Sequence, residues 1–278
     1  MSSPDGRPRT EHHDESMDKI QPAASIPISP ELFEQLYLSP QTRAKGNLRK
    51  TFGNPTPVAL GGFLMCATPA SLSLLEWQGA GGFAAAANVG AYMGYGGVLM
   101  VLGAIGEWIL GNTFPATVFG MFGAFWITFA GAIVPGSGAY ATYSTTGVAA
   151  DGLAEPKFFA TFAFFLVSMA ILCTIFAIAS IRTNIIFFAI FILLLPCRIR
   201  IVGCLSASFF AVANGGSNAV ELQHAGAGLL FAVCLLGWYL FLALILLSVD
   251  FPIVLPVGDL STTIRGHGDR AKVVKEKV

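Results

Sequence analysis

Charge is what this sequence has least of. Only 12% of its 278 residues are charged, and they cancel to a formal net charge of zero. Soluble domains carry about 25% charged residues. Half that fraction leaves too little charge to keep a compact globule of this size in water, which excludes a soluble enzyme. No basic excess exists to bind a phosphate backbone, so nucleic acid is not an expected partner. Histidine is scarce as well: four are present, and only His224 lies near the apolar part. No Ser/His/Asp or paired-carboxylate arrangement stands out, so no enzymatic activity, no cofactor and no metal site are expected. A GxxxxGK[ST] phosphate loop is missing, which argues against an ATP-driven pump. The five cysteines (Cys66, Cys173, Cys197, Cys204 and Cys234) form no CxxC pair and mostly sit in apolar runs. They read as buried or lipid-facing thiols.

Hydrophobic residues, by contrast, make up 54% of the chain. Their distribution is uneven. Of the 32 charged side chains, nine lie between Thr51 and Val249 and 23 lie in the two ends. The first 50 residues hold 14 charges and no apolar run, so they read as a disordered cytoplasmic tail without a signal peptide. Residues 51–250 read as a membrane body, and 251–278 as a second cytoplasmic tail.

A bilayer-spanning helix needs about 20 mostly apolar residues. Six segments qualify: Val58–Leu75 with Pro69 as a kink, Phe83–Leu110, Phe114–Val134, Phe158–Ile181, a fifth starting near Asn184, and Ala225–Val249. The runs are continuous rather than alternating, which excludes a barrel. The fold class is therefore an all-α membrane protein with six transmembrane helices. Arg43, Lys45, Arg49 and Lys50 precede the first span, Arg182 lies between the fourth and fifth, and five basic residues follow the sixth. That asymmetry places both termini in the cytoplasm. Pro135–Pro156 is rich in Gly, Ser, Thr and Ala and reads as an exposed loop.

The fifth span is interrupted. Asn184–Leu195 is apolar but only 12 residues long, and Pro196-Cys197-Arg198-Ile199-Arg200 follows it. Two arginines at membrane depth are costly. They can line a vestibule, snorkel from a helix end near Leu195, or belong to an insertion over residues 196–208, real or introduced by a gene-model error.

Polar residues inside apolar helices are the remaining signals. Asn54-Pro55-Thr56-Pro57 precedes the first span. Asn suits a helix N-cap and Pro the first turn, which alone explains a helix start. A helix N-terminus at a membrane cavity also attracts carboxylates, so a substrate-binding role is open. Tyr95-Gly96-Gly97 on the second span suits close helix packing. Glu107 sits at the interface, bonds to neighbouring helix ends, or faces a cavity where it exchanges protons. Phe63, Phe122, Phe125 and Trp126 are core aromatics or a pore constriction.

Asn54–Phe63 (N-P-T-P-V-A-L-G-G-F) resembles the N-P-A-P-L-G-L signature of the acetate uptake transporter family, which includes the bacterial succinate–acetate permease and fungal acetate permeases. Tyr95-Gly96-Gly97, Glu107, Gly111-Asn112-Thr113-Phe114 and Gly123–Trp126 resemble its second block in order and spacing. Arg182 with Ile185–Phe188 looks like the start of the family's fifth helix, and Trp238-Tyr239 and Pro256–Ser261 look like fungal members. The resemblance covers roughly residues 50–262. It implies a plasma-membrane, homo-hexameric transporter of acetate and other short monocarboxylates, usually linked to protons. It implies a constriction built from Phe63, Phe122 and Leu194, with Glu107 as the candidate for proton coupling.

Departures from the family pattern all reduce polarity. Phe122 replaces Tyr, Val58 and Ala59 replace Leu and Gly, Met100 replaces Gln, and Leu240 replaces Asn. The expected consequence is a less polar path, narrowed near Ala59. The same departures motivate a second reading, a non-transporting sensor or regulator of an acetate or ammonium response. A third is an acetate or ammonium exporter.

Overall fold

The computed structural model describes residues 51–195, 201–258 and 260. The N-terminal tail, and Arg198 and Arg200, lie outside the described residues. Among the described residues the main helices are seven: α1 (Thr56–Leu74), α2 (Phe83–Ile109), α3 (Thr113–Ile133), α4 (Pro156–Ser180), α5 (Ile185–Leu194), α6 (Ile201–Ala213) and α7 (Ala219–Ser248). Among the described residues there is no β-strand. Five of these helices (α1, α2, α3, α4 and α7) are long and apolar enough to cross a membrane. Their outer faces are apolar too. Val98, Leu102, Ile105 and Ile109 form one exposed stripe on α2, and Phe164, Ile171, Ile175 and Ile178 another on α4. Such stripes suit lipid rather than water. The chain is a multi-pass membrane protein.

The helices close into a ring. α1 packs between α2 and α7, α2 packs on α3, and α7 packs on α5 and α6. Large rings bridge α3 to α4: Phe122 lies 6.3 Å from Phe176, Phe125 stacks on Phe165 at 5.9 Å, and Phe129 meets Phe162 at 5.9 Å. The expected fifth span is divided. At 1.5 Å per residue, α5 is about 15 Å long, half of the ~30 Å a hydrocarbon core requires. α5 packs beside Phe176, near the C-terminal end of α4. α6 packs beside Phe159, Phe162 and Phe164 near its N-terminal end. The two short helices therefore share one position in the ring.

Small residues permit the closest approaches. A Cβ on Gly103 would stand 2.5 Å from the Ala59 Cβ, and one on Gly96 would stand 2.7 Å from Trp126 Cγ and 2.8 Å from Cys66 Sγ. Gly96 lies in a π-helical stretch, Tyr92–Leu99, inside α2. Pro69 lies within a continuous α1.

The segment read as an exposed loop and the start of the segment read as the C-terminal tail both make ordered contacts with the body. Pro135–Glu155 contains three short 3₁₀ turns and buries Tyr140 against Phe158. The residues after α7 return to the body: Ile185 N–H donates to the Gly258 carbonyl (3.0 Å) and Leu260 N–H to that of Thr183 (3.0 Å). The Tyr239 hydroxyl donates to the Pro256 carbonyl at 2.7 Å. Gly258 has φ +66°, a conformation that favours glycine, with Ile185 packed against it.

Candidate functional site

The ring encloses a cavity of about 430 Å³. Every helix contributes to its wall, which is dominated by aromatic and aliphatic side chains. Phe63 from α1, Phe122 from α3 and Leu194 from the end of α5 all reach it. The three residues are thus brought together from positions up to 131 apart in sequence (194 − 63). Phe125 and Trp126 add a layer about one turn along α3 from Phe122, and Phe129 follows about two turns along. Trp126 stacks on Tyr92 at 5.1 Å between ring centres. Mostly apolar walls with a few polar groups are typical of small-molecule sites.

Polar groups gather at the end away from the tails. Glu76, Gly81, Gly82, Ser208 and Gln223 line the cavity there. Gln223 Nε2 donates to the Leu74 carbonyl at 3.1 Å, tying α7 to the end of α1. His224 Nε2 stands 3.7 Å from Glu76 Oε2, close enough for an ion pair when the imidazole is protonated. The connection that carries Glu76 is strained. Glu76, Gln78, Ala84 and Ala85 all have φ between 51° and 58°, a conformation in which non-glycine residues are uncommon.

Asn54, Pro55, Thr56 and Pro57 do not line this cavity. Asn54 Oδ1 accepts from Thr56 N–H (2.9 Å), and Pro55 takes the cap position of α1. Glu107 is also away from the cavity and fully buried. The Thr56 hydroxyl donates to Glu107 Oε1, and Asn112 Nδ2 donates to Glu107 Oε2 at 2.6 Å. Its carboxyl group thus lies where the starts of α1 and α3 converge. At the helix start expected to meet a substrate carboxylate, Thr56 and Asn112 bond the chain's own Glu107 carboxyl group. Glu107, the candidate for proton coupling, thus bonds to neighbouring helix starts and does not border the cavity.

The Tyr95-Gly96-Gly97 motif divides. Tyr95 is exposed on the outside, while the two glycines pack α2 against α1 and α3. Tyr92, three residues earlier, is the tyrosine on the cavity wall. Thr113 is exposed at the start of α3. Of the five family departures, only Phe122 borders the cavity. Ala59, Met100 and Leu240 are buried among helices, and Val58 is exposed. The expected narrowing at Ala59 does not occur, because its methyl faces Gly103. Among the described residues no cluster of His, Cys, Asp or Glu is arranged for a metal. Cys66, Cys173, Cys204 and Cys234 are buried.

An all-helical, multi-pass membrane protein closed around an apolar cavity is the class that fold and site define. The GPR1/FUN34/yaaH family model matches residues 37–262, and the chain belongs to that family. Protein alcS of Aspergillus fumigatus is 42% identical over 259 residues, covering 91% of this chain and 93% of that one. Acetate permease A of Emericella nidulans is 28% identical over 280 residues, covering 100% and 88%. The bacterial acetate channel SatP superposes with a TM-score of 0.54 at 20% identity, over 74% of this chain and 99% of that chain. At that identity the likeness is one of fold.

Proposed function

We propose that this protein is a transporter, not an enzyme, and moves acetate and other short monocarboxylates across the plasma membrane together with protons. In this reading there are six spans, with α5 and α6 sharing the fifth, both termini cytoplasmic and the assembly a homo-hexamer. The observation that carries it is the aromatic cavity bordered by Phe63, Phe122 and Leu194. Family membership supports the acetate substrate, as do relatives named as acetate permeases. The lining supports the proton. A bare carboxylate pays a large desolvation cost in an apolar enclosure, whereas the protonated acid does not. The proton therefore travels with the substrate through the Phe63–Phe122–Leu194 ring. With Phe122 in place of Tyr, that ring offers no hydroxyl, and size and polarity do the selecting.

The test is uptake of labelled acetate into liposomes holding the purified protein. Saturable uptake, accelerated by an inward proton gradient, is expected. Folded protein that gives no flux above empty liposomes refutes the proposal. Phe122→Ala widens the ring and should raise the entry of longer monocarboxylates relative to acetate. An unchanged ratio would count against a constriction at Phe122.

A further inference from the structure

Resting on the transport reading, we propose that Trp126 supplies the hydrogen bond that receives a carboxyl oxygen of the substrate, and so makes the cavity selective for carboxyl solutes. Trp126 is 5% exposed and borders the cavity. Its indole N–H is buried and has no hydrogen-bond partner among the described residues. Buried donors without a partner are rare in native structures and call for an explanation. Its polar neighbours on the wall differ. The Tyr92 hydroxyl donates to the Ala84 carbonyl (3.3 Å), the Ser208 hydroxyl to that of Ala219 (2.8 Å), and Gln223 to that of Leu74 (3.1 Å). Glu76 offers a carboxyl group, a poor match for another.

The surroundings are aromatic and apolar, and among the described residues they give its N–H nothing to bond. Gly96 lies against its Cβ–Cγ root, where an added Cβ would stand 2.7 Å from Cγ. Tyr92 stacks on its face, while Phe125 and Phe129 present edges at 5.3 and 6.2 Å. An indole N–H is a donor only. It accordingly suits a solute that brings an acceptor, as a carboxylate or the carbonyl oxygen of the neutral acid does. An ammonium ion brings none. Because the N–H is closed off in this state, the ring must turn about its side-chain torsions to meet the solute. Trp126 lies one helical turn from Phe122, so a molecule held there stands beside the constriction. A proton-carrying acid would be bound by its carbonyl oxygen and pass on without charge separation.

The test uses full-length protein with ¹⁵N-labelled tryptophan, read by the indole N–H resonances during an acetate titration. Four tryptophans are present. The resonance lost in Trp126→Phe is that of Trp126. If that variant does not fold, the resonance that survives in each of Trp77→Phe, Trp108→Phe and Trp238→Phe identifies it instead. Acetate should shift this resonance saturably, and chloride at equal ionic strength should not. In liposomes Trp126→Phe should raise KM for acetate about tenfold or more with a smaller change in kcat, as loss of one hydrogen bond to a charged or strongly polar acceptor predicts. Wild-type flux with an unmoved Trp126 resonance, or an unchanged KM in Trp126→Phe, overturns the role of Trp126 and leaves the transport reading intact. A shifted resonance without wild-type flux overturns the transport reading instead.

Discussion

Thr56, Glu107 and Asn112 show how far residue-level reading reaches. Each belongs to a motif that stands out in the sequence, yet Thr56 and Glu107 are 51 positions apart and nothing in their spacing pairs them. Once paired, they explain why an acidic side chain is tolerated with no exposed surface: its two oxygens accept from a hydroxyl and an amide at two helix starts. Thr56→Val should therefore act on stability, by about 1–3 kcal/mol, because a buried carboxyl oxygen loses a donor. A lower thermal unfolding midpoint in detergent, with unchanged acetate KM, is the expected result. A raised KM at an unchanged midpoint would return Thr56 to the substrate path. Trp126 and Tyr92 teach the converse. Trp126 was legible only as one aromatic among several, and Tyr92 was hidden beside the more conspicuous Tyr95, because a sequence does not record which face of α2 turns inward.

At the scale of elements, apolar length located the helices well. The five long spans begin and end within a few residues of the expected positions, save that α7 starts six residues before Ala225. Length failed where it was ambiguous, in the divided fifth span. Asn184 caps α5, its side chain accepting from Phe187 N–H at 2.7 Å. Asn184→Ala should cost about 0.5–2 kcal/mol, the usual worth of an N-cap, seen as a lower unfolding midpoint. The α1–α2 contact gives a sharper test. Gly103→Ala places a methyl against Ala59 and should destabilise by about 1–3 kcal/mol, as overpacking does. Adding Ala59→Gly should recover most of that loss in the double variant. If the two losses simply add, Gly103 and Ala59 are not in contact.

On the scale of the whole molecule, the uneven charge distribution separates an apolar body from two charged ends. Flux, if it runs through the helix ring, needs only the body. A protein lacking residues 1–45 should keep acetate uptake per folded molecule near that of the full chain. A loss of uptake would favour the regulatory reading, in which the tail is part of the working unit. The docked C-terminal segment is a different case, since its backbone hydrogen bonds hold the start of α5. Removing residues 251–278 should lower the unfolding midpoint as well as flux.

Composition and apolar run length determined by themselves that this chain is a helical membrane protein with charged ends, because burying a helix in lipid requires about 20 apolar residues in a row and leaves a one-dimensional trace. The motif residues determined the family on the same one-dimensional terms. Which side chains border the cavity was decided only in three dimensions. Closing the ring turned Phe63, Phe122, Leu194 and Trp126 to one space and Glu107 away from it. Helix rotation and pairing set that outcome, and both depend on contacts between residues far apart in the chain, such as Gly103 with Ala59 and Phe122 with Phe176.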